Sequence, residues 1–142
     1  MREILFRGKH IHVHPKNEHL DGTWVYGYLC DENHINAPKL EGEFLVDPET
    51  VCQYTGLTDK NSRKIFEGDI ITYQHDNDDC PFPNKDTKRR VGRVYFQEFR
   101  SCFAVAEGRN GSDMINQDLF KYVQNGNRVE IIGNILDNPE LM

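Results

Sequence analysis

The chain has 142 residues, enough for one domain with a real hydrophobic core. Apolar residues make up 37 % and aromatics 11 %, which excludes a disordered chain even with 28 % charged residues. Seventeen Lys and Arg against 23 Asp and Glu give a net charge of -6, a balance that argues against general phosphate binding.

The first residues, Met1 to Arg7, hold only a short apolar run before the next charge, so no secretory leader is expected. No run approaches membrane-spanning length, and the expected location is the cytoplasm, without membrane contact. Cys30, Cys52, Cys80 and Cys102 lie far apart with no C-x-x-C pair, a spacing that favours incidental free thiols over a zinc site.

Apolar residues alternate with period two along most of the chain, the pattern of strands. Ile4 and Phe6 open the first strand. In the second, Trp24, Tyr26 and Tyr28 share one face, and Val25 and Leu29 the other. Asp21-Gly22 supplies turn chemistry, so these two strands form an N-terminal hairpin around a His-rich connection, 10–21. Asp47-Pro48-Glu49 suits a turn with Pro at its first helical position. A strand follows over 51–57, then a polar turn at Asp59-Lys60-Asn61-Ser62 and a return through Lys64-Ile65-Phe66. Glu67-Gly68-Asp69 turns the chain again into Ile70-Ile71-Thr72-Tyr73.

Over 74–90 the alternation fails. Asp76, Asp78 and Asp79 are followed by Pro81-Phe82-Pro83 and then by Lys85, Lys88, Arg89 and Arg90. Strands resume at 91–96 and 102–106. One helix is expected, capped by Ser112, with Ile115, Leu119 and Tyr122 or Val123 on one side. A last strand covers 129–136, and Asn138-Pro139 closes the fold. Short strands with Gly68, Gly92 and Gly133 at their bends point to a small, bent, mainly β domain spanning 1–142.

Several blocks resemble the YopX family of phage and prophage proteins. They are Arg2 to Lys9, Gly22 to Leu29, Gln53 to Asn61, Ile65 to Ile71, and Val129 to Ile135 with Asn138 to Leu141. The resemblance implies a mainly β fold with an SH3-like barrel or roll and at most one or two short helices. It implies no catalytic residues and no cofactor. It marks Trp24, Gly56, Asp59, Asn61, Glu67, Gly68, Asp69, Gly133, Asn134, Asn138 and Pro139 as structural positions. Two departures stand out: Ser62 takes the place of a turn glycine, so Asn61 is expected in the left-handed conformation, and Cys52 stands where glycine is common.

Candidate chemistry is sparse. His10, His12 and His14 alternate, so on a strand their imidazoles line one face about 7 Å apart, a spacing compatible with metal ligation. An exposed strand end with incidental histidines is the simpler reading, and no metal is assigned. Asp76 to Asp79 lacks the glycine and distant glutamate of a calcium loop. Lys88, Arg89 and Arg90 near Tyr95 and Phe96 support a nucleic-acid-binding alternative. No nucleophile elbow or phosphate loop is present in the sequence. The function expected is that of a non-enzymatic accessory protein acting through contacts with an unidentified host or phage protein. Trp24, Tyr26 and Tyr28 would supply a core or an oligomer interface.

Overall fold

The computed structural model describes residues 3–11, 22–74, 89–107, 117–124 and 128–142. The chain divides into two compact units, Met1–Gly56 and Leu57–Met142. The strands form two antiparallel sheets, the first ending in the pair Cys52–Thr58 and Lys64–Phe66 that runs into the second unit, and each unit has its own apolar cluster. The mainly β class read from the sequence is correct, and neither sheet closes into a barrel among the described residues.

In the first unit the strands are β1 (Phe6–Lys9), β2 (Trp24–Asp31), β3 (His34–Ala37), β4 (Gly42–Leu45) and β5 (Cys52–Thr58), whose last two residues pass into the second unit. They lie side by side in the order β4-β3-β2-β1-β5. The expected hairpin of β1 and β2 forms, with Gly8 opposite Val25 and Lys9 opposite Trp24. The sheet curls strongly: beyond β1, His10 bridges to Val46 at the end of β4, and Ile11 N–H donates to Leu45 O at 2.9 Å. One face buries Val25, Ile35, Ala37, Phe44 and Val46, with Phe6 and Val51 at its margin. Asp47 caps a single helical turn, Pro48–Thr50, by accepting from Glu49 N–H at 3.0 Å, so the Asp-Pro-Glu signal is read correctly.

Strands β3 and β4 escape the sequence reading. They are four residues each, carry His34, Asn36 and Glu43 on one face, and are separated by a Pro38–Leu40 turn. With only two apolar positions per strand on the buried face, the alternation is too short to stand out.

The second unit holds β6 (Lys64–Phe66), β7 (Asp69–Gln74), β8 (Arg89–Gln97), β9 (Cys102–Glu107), β10 (Gln117–Asp118) and β11 (Glu130–Asn134). The sheet order is β10-β9-β8-β7-β11. Ile71, Tyr73, Val94, Val105 and Ile131 form one buried face with Ile65, Leu119 and Val129. Fully burying an aliphatic side chain contributes about 1.5–3 kcal/mol, so this cluster dominates the unit's stability.

The helix α1 (Leu119–Val123) is present but begins later than expected. Its cap is Asp118, whose Oδ1 accepts from Phe120 N–H at 2.9 Å, and not Ser112. Ser112 and Ile115 lie outside the described residues, as do His12, His14, Cys80 and the segment 75–88. The final strand ends at Asn134, because the residues after it turn back on themselves.

Candidate interaction surface

The polar positions singled out by the family resemblance are occupied by backbone. Asp59 is buried, and its Oδ1 accepts from Asn61 N–H and Arg63 N–H, both at 2.9 Å. The left-handed residue of this turn is Ser62, at φ 64°, and not Asn61. Serine at this position therefore bears the left-handed strain that a glycine would not. Asp69 Oδ2 accepts from Phe66 N–H at 2.8 Å across the tight turn that Gly68, at φ 88°, makes possible. Glu67 is half-buried in the same turn. Gly56 also has a positive φ, 86°.

Asn134 and Asn138 build the last turn. Asn134 Oδ1 accepts from the N–H groups of Leu136 and Asp137, at 3.1 and 2.9 Å. Asn138 Oδ1 accepts from Asn134 N–H at 3.2 Å. A Cβ on Gly133 would meet that same Asn138 oxygen at 2.6 Å, so the glycine is required by close approach. Pro139 begins the helical turn that follows.

His10 is a core residue. It is 3 % exposed, its Nδ1–H donates to Leu45 O at 2.9 Å, and its ring stands edge-on to Phe44 at 5.3 Å. Its Nε2 is buried and has no hydrogen-bond partner among the described residues. No group of three His, Cys, Asp or Glu side chains comes together among those residues. The other two histidines of the alternating set lie outside them.

The basic run is divided. Lys88 and the side chain of Arg89 lie outside the described residues. Arg90 is engaged by Glu107, at 3.0 and 3.1 Å to its two carboxylate oxygens, and Tyr73 O–H donates to the same carboxylate at 2.7 Å. Burial, then the hydrogen bond to Glu107, raises the pKa of Tyr73 well above its ordinary value. Tyr95 and Phe96, expected beside these cations, are committed elsewhere. Tyr95 lies under Arg93, with the guanidinium carbon 5.1 Å from the ring centroid, and Phe96 packs edge-on against Phe103 at 5.3 Å.

What remains exposed and distinctive is the outer face of the first unit. Val25 is fully buried, and strand alternation turns Tyr26 and Tyr28 outward, with 46 % and 59 % of their surface exposed. Trp24 continues the row and is half-buried. Arg7 lies opposite Tyr26 and Lys9 opposite Trp24. Their charged ends are 4.6 and 5.5 Å from the Trp24 ring centroid, distances at which cation–π attraction holds the indole in place. At the other end Tyr28 faces Asn36, and Asn36 faces Glu43. Cys30, on the same face, has its thiol pKa raised first by its hydrogen bond to Glu43. Cys30, Cys52 and Cys102 are free thiols. The result is a row of aromatics with half-buried Lys9 and buried Arg7 beside one end and Glu43 beside the other.

Comparison with known proteins bears on the family and the fold. A family model described as YopX protein matches residues 7–142. The crystal structure of protein EF1440 from Enterococcus faecalis is similar over 99 % of both chains, with 22 % identity and a TM-score of 0.53. No curated protein sequence matches the chain. No helix among the described residues is long and apolar enough to cross a membrane.

Proposed function

Because the chain belongs to the YopX protein family, matched over nearly its whole length, we propose that it is a phage- or prophage-encoded accessory protein that binds another protein and catalyses nothing itself. It works in the bacterial cytoplasm.

The observation that carries this reading is the outward row of Trp24, Tyr26 and Tyr28. Tyrosine and tryptophan dominate the energetics of protein interfaces, because each offers a large contact area with few rotatable bonds. Tyr26 and Tyr28 turn away from the core built on the other face, and about half of each side chain's surface is open to a partner. The absence of enzymatic function is supported by Asp59, Asp69, Asn134 and Asn138. Each is directed at backbone amides of a turn or strand and is not offered to a substrate. Arg90, paired with Glu107, is a weaker phosphate ligand than the sequence suggests.

The test is affinity capture from host lysate with the natural chain and with Tyr26→Ser/Tyr28→Ser. A partner retained by the former and lost by the latter supports the reading. Equal retention by both chains, or a salt-sensitive mobility shift with DNA or RNA and no protein partner, opposes it.

A further inference from the structure

The second unit carries a cavity of about 200 Å³ lined by Arg93, Ile135, Pro139 and Met142. Arg93 lies in the middle of β8, between Ile70 of β7 and Ala106 of β9, both fully buried. It therefore belongs to the sheet face opposite Ile71, Val94 and Val105. Arg93 is a half-buried residue whose guanidinium carbon lies 5.1 Å from the Tyr95 ring centroid, and no carboxylate or carbonyl pairs with it among the described residues. A guanidinium packed on an aromatic ring beside an apolar wall, with no anion paired to it among the described residues, is suited to take a carboxylate.

We propose that this cavity binds a segment of a partner protein that presents a carboxylate beside an aliphatic side chain. The carboxylate pairs with Arg93, and the aliphatic group fills the space between Ile135, Pro139 and Met142. The space, about 200 Å³ and open to solvent, is smaller than the roughly 300–1,000 Å³ clefts that enclose whole drug-sized molecules and suits one aliphatic side chain with a carboxylate beside it. The wall is preformed. Ile135 N–H donates to Gly68 O at 2.9 Å, Asn138 N–H donates to Asn134 O at 2.8 Å, and Met142 N–H donates to Pro139 O at 3.3 Å. The Gly133, Asn134, Asn138 and Pro139 positions thus acquire a purpose beyond ending the fold: they hold the apolar side of a binding pocket. This inference does not depend on the aromatic row of the first unit.

The experiment is an NMR titration of the full chain with N-acetyl-leucine and, separately, N-acetyl-leucinamide, which lacks the carboxylate. We expect the acid to shift the Arg93 Nε–H signal and the methyl signals of Ile135 and Met142, and to bind at least tenfold more tightly than the amide. Arg93→Gln should abolish that difference, and Tyr26→Ser/Tyr28→Ser should leave it unchanged. The proposal is overturned by equal responses to acid and amide, by no response at these three residues, or by an undiminished preference in folded Arg93→Gln. If Arg93→Gln loses its dispersed spectrum, the comparison of acid with amide on the unaltered chain decides the matter alone.

Discussion

The Oδ2 atom of Asp59 accepts a hydrogen bond at 3.1 Å from the backbone N–H of Ile131, 72 positions further along the chain. The other oxygen of the same carboxylate closes the turn that Asp59 begins. One buried side chain therefore fixes a local turn and joins it to β11. Asp59→Ala would leave three backbone donors without their acceptor. The expected loss is about 3 kcal/mol, since hydrogen bonds to charged groups contribute about 1.5–3 kcal/mol each and the orphaned donors are only partly rehydrated. Denaturant unfolding monitored by tryptophan fluorescence and amide exchange would measure it, with Ile131 N–H losing protection.

Two left-handed positions should respond to substitution with opposite signs. Ser62, at φ 64°, bears a strain that glycine does not, so Ser62→Gly should stabilise the chain by about 0.5–1 kcal/mol. Gly68, at φ 88°, lies in the turn closed by Asp69, so Gly68→Val should cost more than about 2 kcal/mol and reduce soluble yield. Thermal melts of the two variants against the parent check both signs.

Gly133 and Asn138 should behave as a coupled pair. Gly133→Ala pushes the Asn138 amide away from Asn134 N–H, and Asn138→Ala removes that acceptor outright. Once the amide is gone, the two closest contacts, at 2.6 and 2.9 Å, are relieved and only the Asn138 Cβ at 3.1 Å remains. The double variant should therefore cost less than the sum of the singles, by about 1 kcal/mol in a double-mutant cycle.

Tyr73 gives the unfolding free energy a pH dependence. Its folded-state pKa is raised by burial and by Glu107, while in the unfolded chain it ionises near the ordinary tyrosine value of about 10. Below about pH 10 the proton is bound in both states and the slope is zero. Above it the unfolded state releases the proton first, so stability falls as pH rises. Tyr122, also raised by burial, adds to the same decline. Tyr73→Phe should flatten the alkaline slope and lower neutral-pH stability by about 1–2 kcal/mol through the lost bond to Glu107. Urea unfolding at pH 8 and pH 11 separates the two effects.

The sequence shows most of the strands because their alternation is long enough to read. Alternation separates Trp24, Tyr26 and Tyr28 from Val25 and Leu29 but leaves open which side of β2 is buried, and the Asp-Pro-Glu and Glu-Gly-Asp turns announce themselves by residue type. The pattern does not show long-range closure. Nothing in the spelling of Asp59 says that Ile131 supplies a donor, and nothing in Arg93 says that the distant turn holding Ile135 and Pro139 walls a cavity beside it, because side-chain partners so far apart in sequence follow from the folded topology. His10 is missed for the opposite reason. Alternation with His12 and His14 suggests a shared face, whereas the curl that joins His10 to Val46 takes that imidazole into the core. The helix start is displaced because Asp118 and Ser112 are equally good caps by residue type.

The account rests most on the outward row of aromatics as a binding face, and the direct measurement is photocrosslinking in bacterial cells. A benzophenone amino acid is placed at Tyr28 in one chain and, as a control, at Phe99, an apolar residue 82 % exposed on the turn Glu98–Arg100. The account predicts a discrete crosslinked protein from position 28, of a mass that is absent from position 99. A crosslink from position 99 alone, or none from position 28 under conditions where the chain is folded and expressed, would contradict it.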